Sequence, residues 1–158
     1  PDNDKISESF SALKIPGRME ILSVQPIILF DPAHNEQAIR SLAKTIKDLY
    51  TDNPITLFIS MMKDKNPEAL IPVISDLITP DIYYLTLDDP RAYNPLQDNN
   101  LSGRLSASDS EAILSVLNKR DDTIHIFTGS FRLYQTAKEI SRFFIDADES
   151  CESRIRRI

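Results

Sequence analysis

The chain has 158 residues, a length that suggests one domain with room for a core that hides about two thirds of the unfolded surface. An apolar content of 41% with a net charge of −6 fits a soluble globular protein and argues against a general nucleic-acid binder, which needs a basic face. The single cysteine, Cys151, rules out an internal disulfide. With no apolar run of about 18 residues and no basic-apolar leader, the expected setting is a reducing cytoplasm, without a membrane.

The first strand signal is Ile27–Phe30. Ile21–Val24 before it, separated by Gln25-Pro26, suggests a hairpin entering a sheet. From Asn35 to Tyr50 the apolar residues Ala38, Ile39, Leu42, Ala43, Ile46 and Leu49 keep helical spacing, one face inward. Glu36 stands in the first turn and Lys44 and Lys47 later, as the helix dipole prefers. Ile55–Met61 is the next strand. Asn66-Pro67 then predicts N-cap and first residue of a helix buried through Leu70, Ile71, Val73, Ile74 and Leu77. Pro72 lies inside it, where the ring removes one backbone bond and should kink the helix. Ile82–Leu87 is a strand. Ser108 or Asp109 opens a helix through Leu117, Thr123–Thr128 is a strand, and Phe131–Ile145 a last amphipathic helix. The stretch Asp89–Ser106, with two prolines, Gly103 and an Asn-Asn pair, predicts loop. The tail from Asp146 predicts loose polar chain, ending in the basic run Arg154–Ile158, expected to be solvated or frayed. Continuous apolar strands alternating with helices imply a mainly parallel sheet covered on both faces.

The chemistry follows from position. Phe30 is followed by Asp31-Pro-Ala-His34-Asn35, Met61 by Met-Lys63-Asp64-Lys65-Asn66, Leu87 by Asp88-Asp89-Pro-Arg91, and Thr128 by Gly129-Ser130. In open α/β sheets ligands bind outside the carboxyl ends of the strands, so these four loops aim at one edge. A carboxylate at Asp31 suits ribose hydroxyls and an imidazole at His34 a base, ribose or phosphate oxygen; alternatively Asp31 or Asn35 only caps the helix. Gly129-Ser130 before a helix suits an anion, or Ser130 is a plain N-cap. Arg18, after Pro16-Gly17, can fork onto phosphate or carboxylate, or be a solvated surface arginine. Lys63, Asp64 and Lys65 can serve a ligand or pair among themselves. His125 alternates within a strand and predicts a hydrogen-bonded core residue. Cys151, beside Glu149, Ser150 and Glu152, has no histidine or second cysteine to make it a metal ligand or nucleophile. The sequence holds no G-x-x-x-x-G-K-[ST] phosphate cradle, no G-x-S-x-G elbow and no zinc spacing, so it predicts no metal site of its own and no capacity to activate a triphosphate alone.

PGRMEIL (16–22), FDPAHNEQA (30–38), ISMMKDKN (59–66), DDPRA (88–92) and FTGSFRLYQTAKEI (127–140) come in the order seen in the C-terminal domain of folylpolyglutamate synthases, itself a Mur ligase C-terminal domain. The sequence resembles that family over roughly residues 14–145. It departs at Glu36, where the family usually has Pro, at Asn66, where Asp is common, and across 93–106. The resemblance implies a Rossmann-like α/β fold, a mostly parallel six-stranded sheet with helices on both faces, over residues 15–146, flanked by a 1–14 linker and a 147–158 tail. It implies an upstream ATPase domain of the same polypeptide, carrying the P-loop, the Mg2+ ligands and much of the folate site. ATP would phosphorylate a folate carboxylate, and the amine of L-glutamate would attack the acyl phosphate. Arg18 would reach the ATP phosphates, Asp31 and His34 the nucleotide or the incoming glutamate, and Gly129, Ser130 and Lys65 the amino-acid side. The isolated chain would then be inactive. Two other readings stay open: a peptidoglycan-precursor Mur ligase domain, and a free-standing nucleotide or amino-acid binding module.

Overall fold

The computed structural model describes residues 18–95, 101–119 and 122–155. Strands β1 (Glu20–Val24) and β2 (Ile27–Asp31) form the expected antiparallel hairpin, joined through a cis Gln25–Pro26 peptide. Then come α1 (Glu36–Leu49), β3 (Ile55–Ile59), α2 (Pro67–Ile78), β4 (Asp81–Thr86), β5 (Gly103–Ser106), α3 (Ser110–Leu117), β6 (Ile124–Thr128) and α4 (Leu133–Ile155). The six strands make one sheet in the order β1-β2-β6-β3-β4-β5. Only the β1–β2 pair is antiparallel; the other four are parallel.

The two faces of the sheet follow from the alternation of side chains along a strand. Leu29, Leu57, Ile59, Ile82, Tyr84, Ile124 and Ile126 face α1 and α2, which supply Ile39, Leu42, Ile46, Leu70, Ile71 and Ile74. Ile28, Phe30, Phe58, Leu85 and Phe127 face α3 and α4, which supply Ile113, Leu117, Leu133, Ala137 and Ile140. Every residue of β3 and β6 is buried, as a central strand covered on both faces requires. Each fully buried Leu, Ile or Phe contributes about 1.5–3 kcal/mol, so the two layers together dominate the stability.

Two local readings are corrected. The segment expected to be loop contains β5, which extends the sheet beyond β4 with Tyr83 opposite Gly103 and Thr86 opposite Ser106. Its four residues, Gly-Arg-Leu-Ser, are too short and too polar for a strand pattern, because an edge strand needs little more than one neighbour's hydrogen bonds. The last helix does not stop at Ile145 but runs to Ile155, where Ala147, Glu149, Glu152 and Arg154 favour helix. Residues 156–158, the end of the basic run, lie outside the described residues. Asn66 is the N-cap of α2 and Pro67 its first residue, as expected; the cap is made by the Asn66 carbonyl, which accepts from Ala69 and Leu70, rather than by its side chain, and the Asn66 backbone is left-handed (φ 52). Pro72 is inside α2 as expected.

Candidate functional site

The strand order creates the site. From β2 the chain turns onto one face, into α1; from its neighbour β6 it turns onto the other, into α4; from β3, beyond β6, it returns to the first face. At such a reversal the departing loops splay apart and leave a crevice at the carboxyl edge.

On the β2 side, Asp31 ends the strand and its carboxylate is divided between two backbone donors. Met19 N–H reaches Oδ2 at 3.0 Å and Ala33 N–H reaches Oδ1 at 2.9 Å. Burial pushes its pKa above the ordinary carboxylate value, against the opposing pull of the two N–H groups and of the nearby Arg18 guanidinium. Met19 is left-handed (φ 45), so the Asp31 bond fixes the bend from which Arg18 projects. The Pro16-Gly17 turn expected before Arg18 lies outside the described residues. His34 is exposed, and its Nδ1 lies 2.8 Å from the Pro32 carbonyl oxygen. A carbonyl can only accept, so Nδ1 carries the hydrogen and Nε2 is the ring nitrogen left to face a ligand. Helix capping falls to Asn35, whose Oδ1 accepts from Ala38 N–H at 2.9 Å. Arg18, Asp31, His34 and Asn35 line one hollow of about 310 Å3, floored by Ala38 and Leu42.

Just after β6, Gly129 has φ +92, and a Cβ there would run into the carbonyl oxygen of Ser60, the residue that follows β3. Glycine is therefore required by close packing of two backbones, not by a turn type alone. Ser130 is 8% exposed; its Oγ accepts from Arg132 N–H at 3.2 Å and its carbonyl from Leu133 N–H at 3.0 Å. These bonds close the turn that leads into α4 and leave the hydroxyl hydrogen available to a ligand. Lys65 is paired with Asp64 at 3.0 Å, the self-paired alternative for that loop. Thus the structure gathers Arg18, Asp31 and His34 around one hollow, and places Gly129, Ser130 and Lys65 on the adjoining β6 and β3 loops rather than in it.

His125 is a core residue, 1% exposed, with its ring 6.3 Å from that of Phe58. The expected hydrogen bonds are not made: neither ring nitrogen has a partner at bonding distance, the Leu117 backbone lying close enough only to favour the protonated ring slightly. Burial holds its pKa down at about 4, so the ring is neutral in the fold.

One arrangement was not singled out from sequence. Asp89, after β4, accepts from Arg91 through Nε and Nη2 at 3.3 and 3.2 Å and from Arg132 Nη1 at 2.7 Å. The Asp89–Arg132 pair ties the β4 loop to the start of α4. The signal was the Asp-Asp-Pro-Arg motif, but its partner Arg132 is 43 residues away, a separation that no local pattern reports. Among the described residues no group of three or more His, Cys, Asp or Glu is placed to hold a metal ion, and no helix is long and apolar enough to cross a membrane.

An open, mostly parallel sheet with polar loops converging at its switch edge defines an α/β ligand-binding domain. Residues 17–132 match the family described as Mur ligase, glutamate ligase domain, and the chain belongs to that family. A dihydrofolate synthase/folylpolyglutamate synthase of Bacillus subtilis is 29% identical over 120 residues, 73% of this chain but 28% of that protein. A Yersinia pestis bifunctional folylpolyglutamate synthase/dihydrofolate synthase, solved with AMPPNP and Mn ion, superposes with a TM-score of 0.64 at 23% identity, over 84% of this chain and 32% of that one. Another bifunctional folylpolyglutamate synthase/dihydrofolate synthase, solved with Mn, AMPPNP and L-glutamate bound, gives 0.63 at 21%, over 87% and 32%. The six-stranded α/β fold is therefore that of these enzymes' matching region, and the chain spans about a third of their length.

Proposed function

We propose that this chain is the C-terminal domain of a cytoplasmic ATP-dependent ligase that adds L-glutamate to folates, acting with an ATPase domain of the same polypeptide. The observation that carries this reading is the hollow where Arg18, Asp31 and His34 meet at the switch edge, in a chain of the glutamate ligase domain family. Its polar rim of one guanidinium, one carboxylate and one imidazole matches the phosphate, ribose hydroxyl and amine of the two small substrates. The folate relatives favour this over a peptidoglycan-precursor substrate.

In this reading magnesium would be held by the ATPase domain, where it would shield the triphosphate's charge. The folate carboxylate oxygen bonds to the γ-phosphorus and ADP leaves. The glutamate amine then bonds to the acyl carbon and phosphate leaves, the amine proton passing to a base. His34, with Nε2 free to accept, suits that amine, and the remaining donor of Ser130 suits a glutamate carboxylate. Arg18 meets the phosphates when the two domains close. This is catalysis by positioning and charge neutralisation.

The test is steady-state kinetics, with ATP varied, of the ligase carrying this domain with Arg18→Ala or Arg18→Lys. A charge-assisted hydrogen bond is worth about 1.5–3 kcal/mol, so kcat/KM should fall roughly 10- to 150-fold in Arg18→Ala and recover in part with lysine, which keeps the charge but not the fork. A value within about twofold of wild type would place Arg18 outside the site. This chain alone, given ATP, magnesium, a reduced folate and glutamate, should release no ADP above buffer.

A further inference from the structure

We infer that the two guanidiniums assembled on Asp89, those of Arg91 and Arg132, form a second anion subsite beside Ser130, one that takes a carboxylate of a γ-glutamyl tail already on the folate. The inference rests on the function proposed above and deepens it: it concerns which folates the site prefers, not whether it joins glutamate to them.

The geometry has three parts. First, the arrangement is preorganised. Asp89 is fixed at both oxygens: Oδ1 accepts from the Arg91 backbone N–H at 2.8 Å and from Arg91 Nε, and Oδ2 accepts from Arg91 Nη2 and Arg132 Nη1. Its side chain is only 7% exposed, screened by the guanidiniums themselves, and their contact holds its pKa down to about 2. The backbone beneath is equally set, with Lys63 N–H on the Arg91 carbonyl at 2.9 Å and a bridge between Met62 and Ala92. Second, charge is left over. One carboxylate is shared by two guanidiniums; Asp64, already paired with Lys65, adds a longer-range pull on Arg91, whereas Arg132 spends a single contact on Asp89, its side chain 50% exposed against 73% for Arg91. The spare N–H groups form a planar fork suited to a carboxylate. Third, the place is right. Arg132 is two residues past Ser130 and its own N–H binds the Ser130 hydroxyl. The subsite therefore adjoins the loop proposed to hold the incoming amino acid, on the side away from the Arg18 hollow. Lys63, whose Nζ caps the Pro90 carbonyl at 2.8 Å, adds positive charge to the same rim.

Binding to this chain separates the possibilities. The probes are L-glutamate and γ-linked triglutamate, titrated at low salt and followed by NMR of the arginine Nε–Hε groups and the Ser130 amide. Triglutamate should bind more tightly than glutamate, shift the Arg91 and Arg132 signals saturably, and lose that advantage at high salt. In Arg91→Gln/Arg132→Gln the triglutamate affinity should fall about two- to thirtyfold, while glutamate binding is unchanged. Those factors follow from exposed charge contacts worth about 0.2–1 kcal/mol each. If the double variant unfolds, Arg91→Lys/Arg132→Lys keeps the charge, and a partial loss is then expected. Equal affinities for the two probes, or triglutamate binding that ignores the double substitution, overturns the inference while leaving the proposed function standing if the Ser130 amide still responds. Silence of every signal with both probes overturns the subsite and removes the glutamate-side support for the proposed function as well.

Discussion

Replacing Gly129 with alanine tests the link between the sheet and the site. The residue has φ +92, and the added Cβ would meet the Ser60 carbonyl oxygen, with Ile59 Cγ1 at 3.0 Å and Met61 Cγ at 3.1 Å. Two costs add. Holding alanine in that backbone region costs of order 1–3 kcal/mol. Pushing back the end of β3 is an overpacking cost of about 1–3 kcal/mol, and it cannot be relieved by a side-chain rotation because the obstacle is backbone. Ser60 is also pinned by its own N–H, which binds the Thr128 carbonyl at 3.2 Å. The expected loss is about 2–6 kcal/mol; with a slope of about 2 kcal/mol per molar urea, the midpoint drops by about 1–3 M. Gly103→Ala is the internal comparison. Its Cβ would meet only the Tyr83 ring, at 3.0 Å, on an edge strand where a ring can give, so its loss should be smaller. Urea unfolding of the three proteins, with slopes compared, measures both. A Gly129→Ala loss below about 1 kcal/mol, or one no larger than that of Gly103→Ala, would refute the claim that two backbones meet there.

The buried, neutral His125 ring makes stability depend on pH. Its folded pKa, about 4, lies below the unfolded value of 6.5, so the unfolded chain binds more protons and stability falls as pH drops through that window. The contribution is about 3 kcal/mol across the full interval; urea unfolding of wild type and His125→Leu at pH 7 and pH 4.5 should show a smaller acid loss in the variant, and equal losses would show the ring to be hydrated. Asp31→Ala removes the acceptor of two backbone N–H groups and should cost about 1–3 kcal/mol besides lowering turnover of the ligase, whereas His34→Ala should lower turnover with an unchanged thermal midpoint, because the ring is exposed and bonds only Pro32. Thermal unfolding and kinetics of both variants separate the two roles, and a large fall in the His34→Ala midpoint would make that residue structural. Asn35→Ala deletes the α1 cap and should destabilise by about 0.5–2 kcal/mol without altering glutamate affinity; a loss of affinity at equal fold would draw Asn35 into the site.

The sequence alone determined the alternation of strands and helices, because each element carries its own period: every second residue for a face of a strand, three to four for a helix. It also placed Asp31 at the end of β2, His34 just beyond it and Gly129 and Ser130 just beyond β6, since parallel strands point their carboxyl ends the same way, and motif order brought the family into view. Tertiary structure decided what depends on distance between segments. That β6 inserts between β2 and β3, and so opens the crevice, comes from a connection that no local period encodes. β5 became a strand only by pairing with β4, and Gly129 is indispensable only because Ser60 lies against it. Asp31 both lines the hollow and anchors the bend at Met19, through a bond to a residue twelve positions earlier. Arg132 joined Asp89 across 43 residues. Local sequence carries propensity and period, whereas a charge pair, a backbone collision or a shared carboxylate exists only once folding has brought distant residues within a few ångströms.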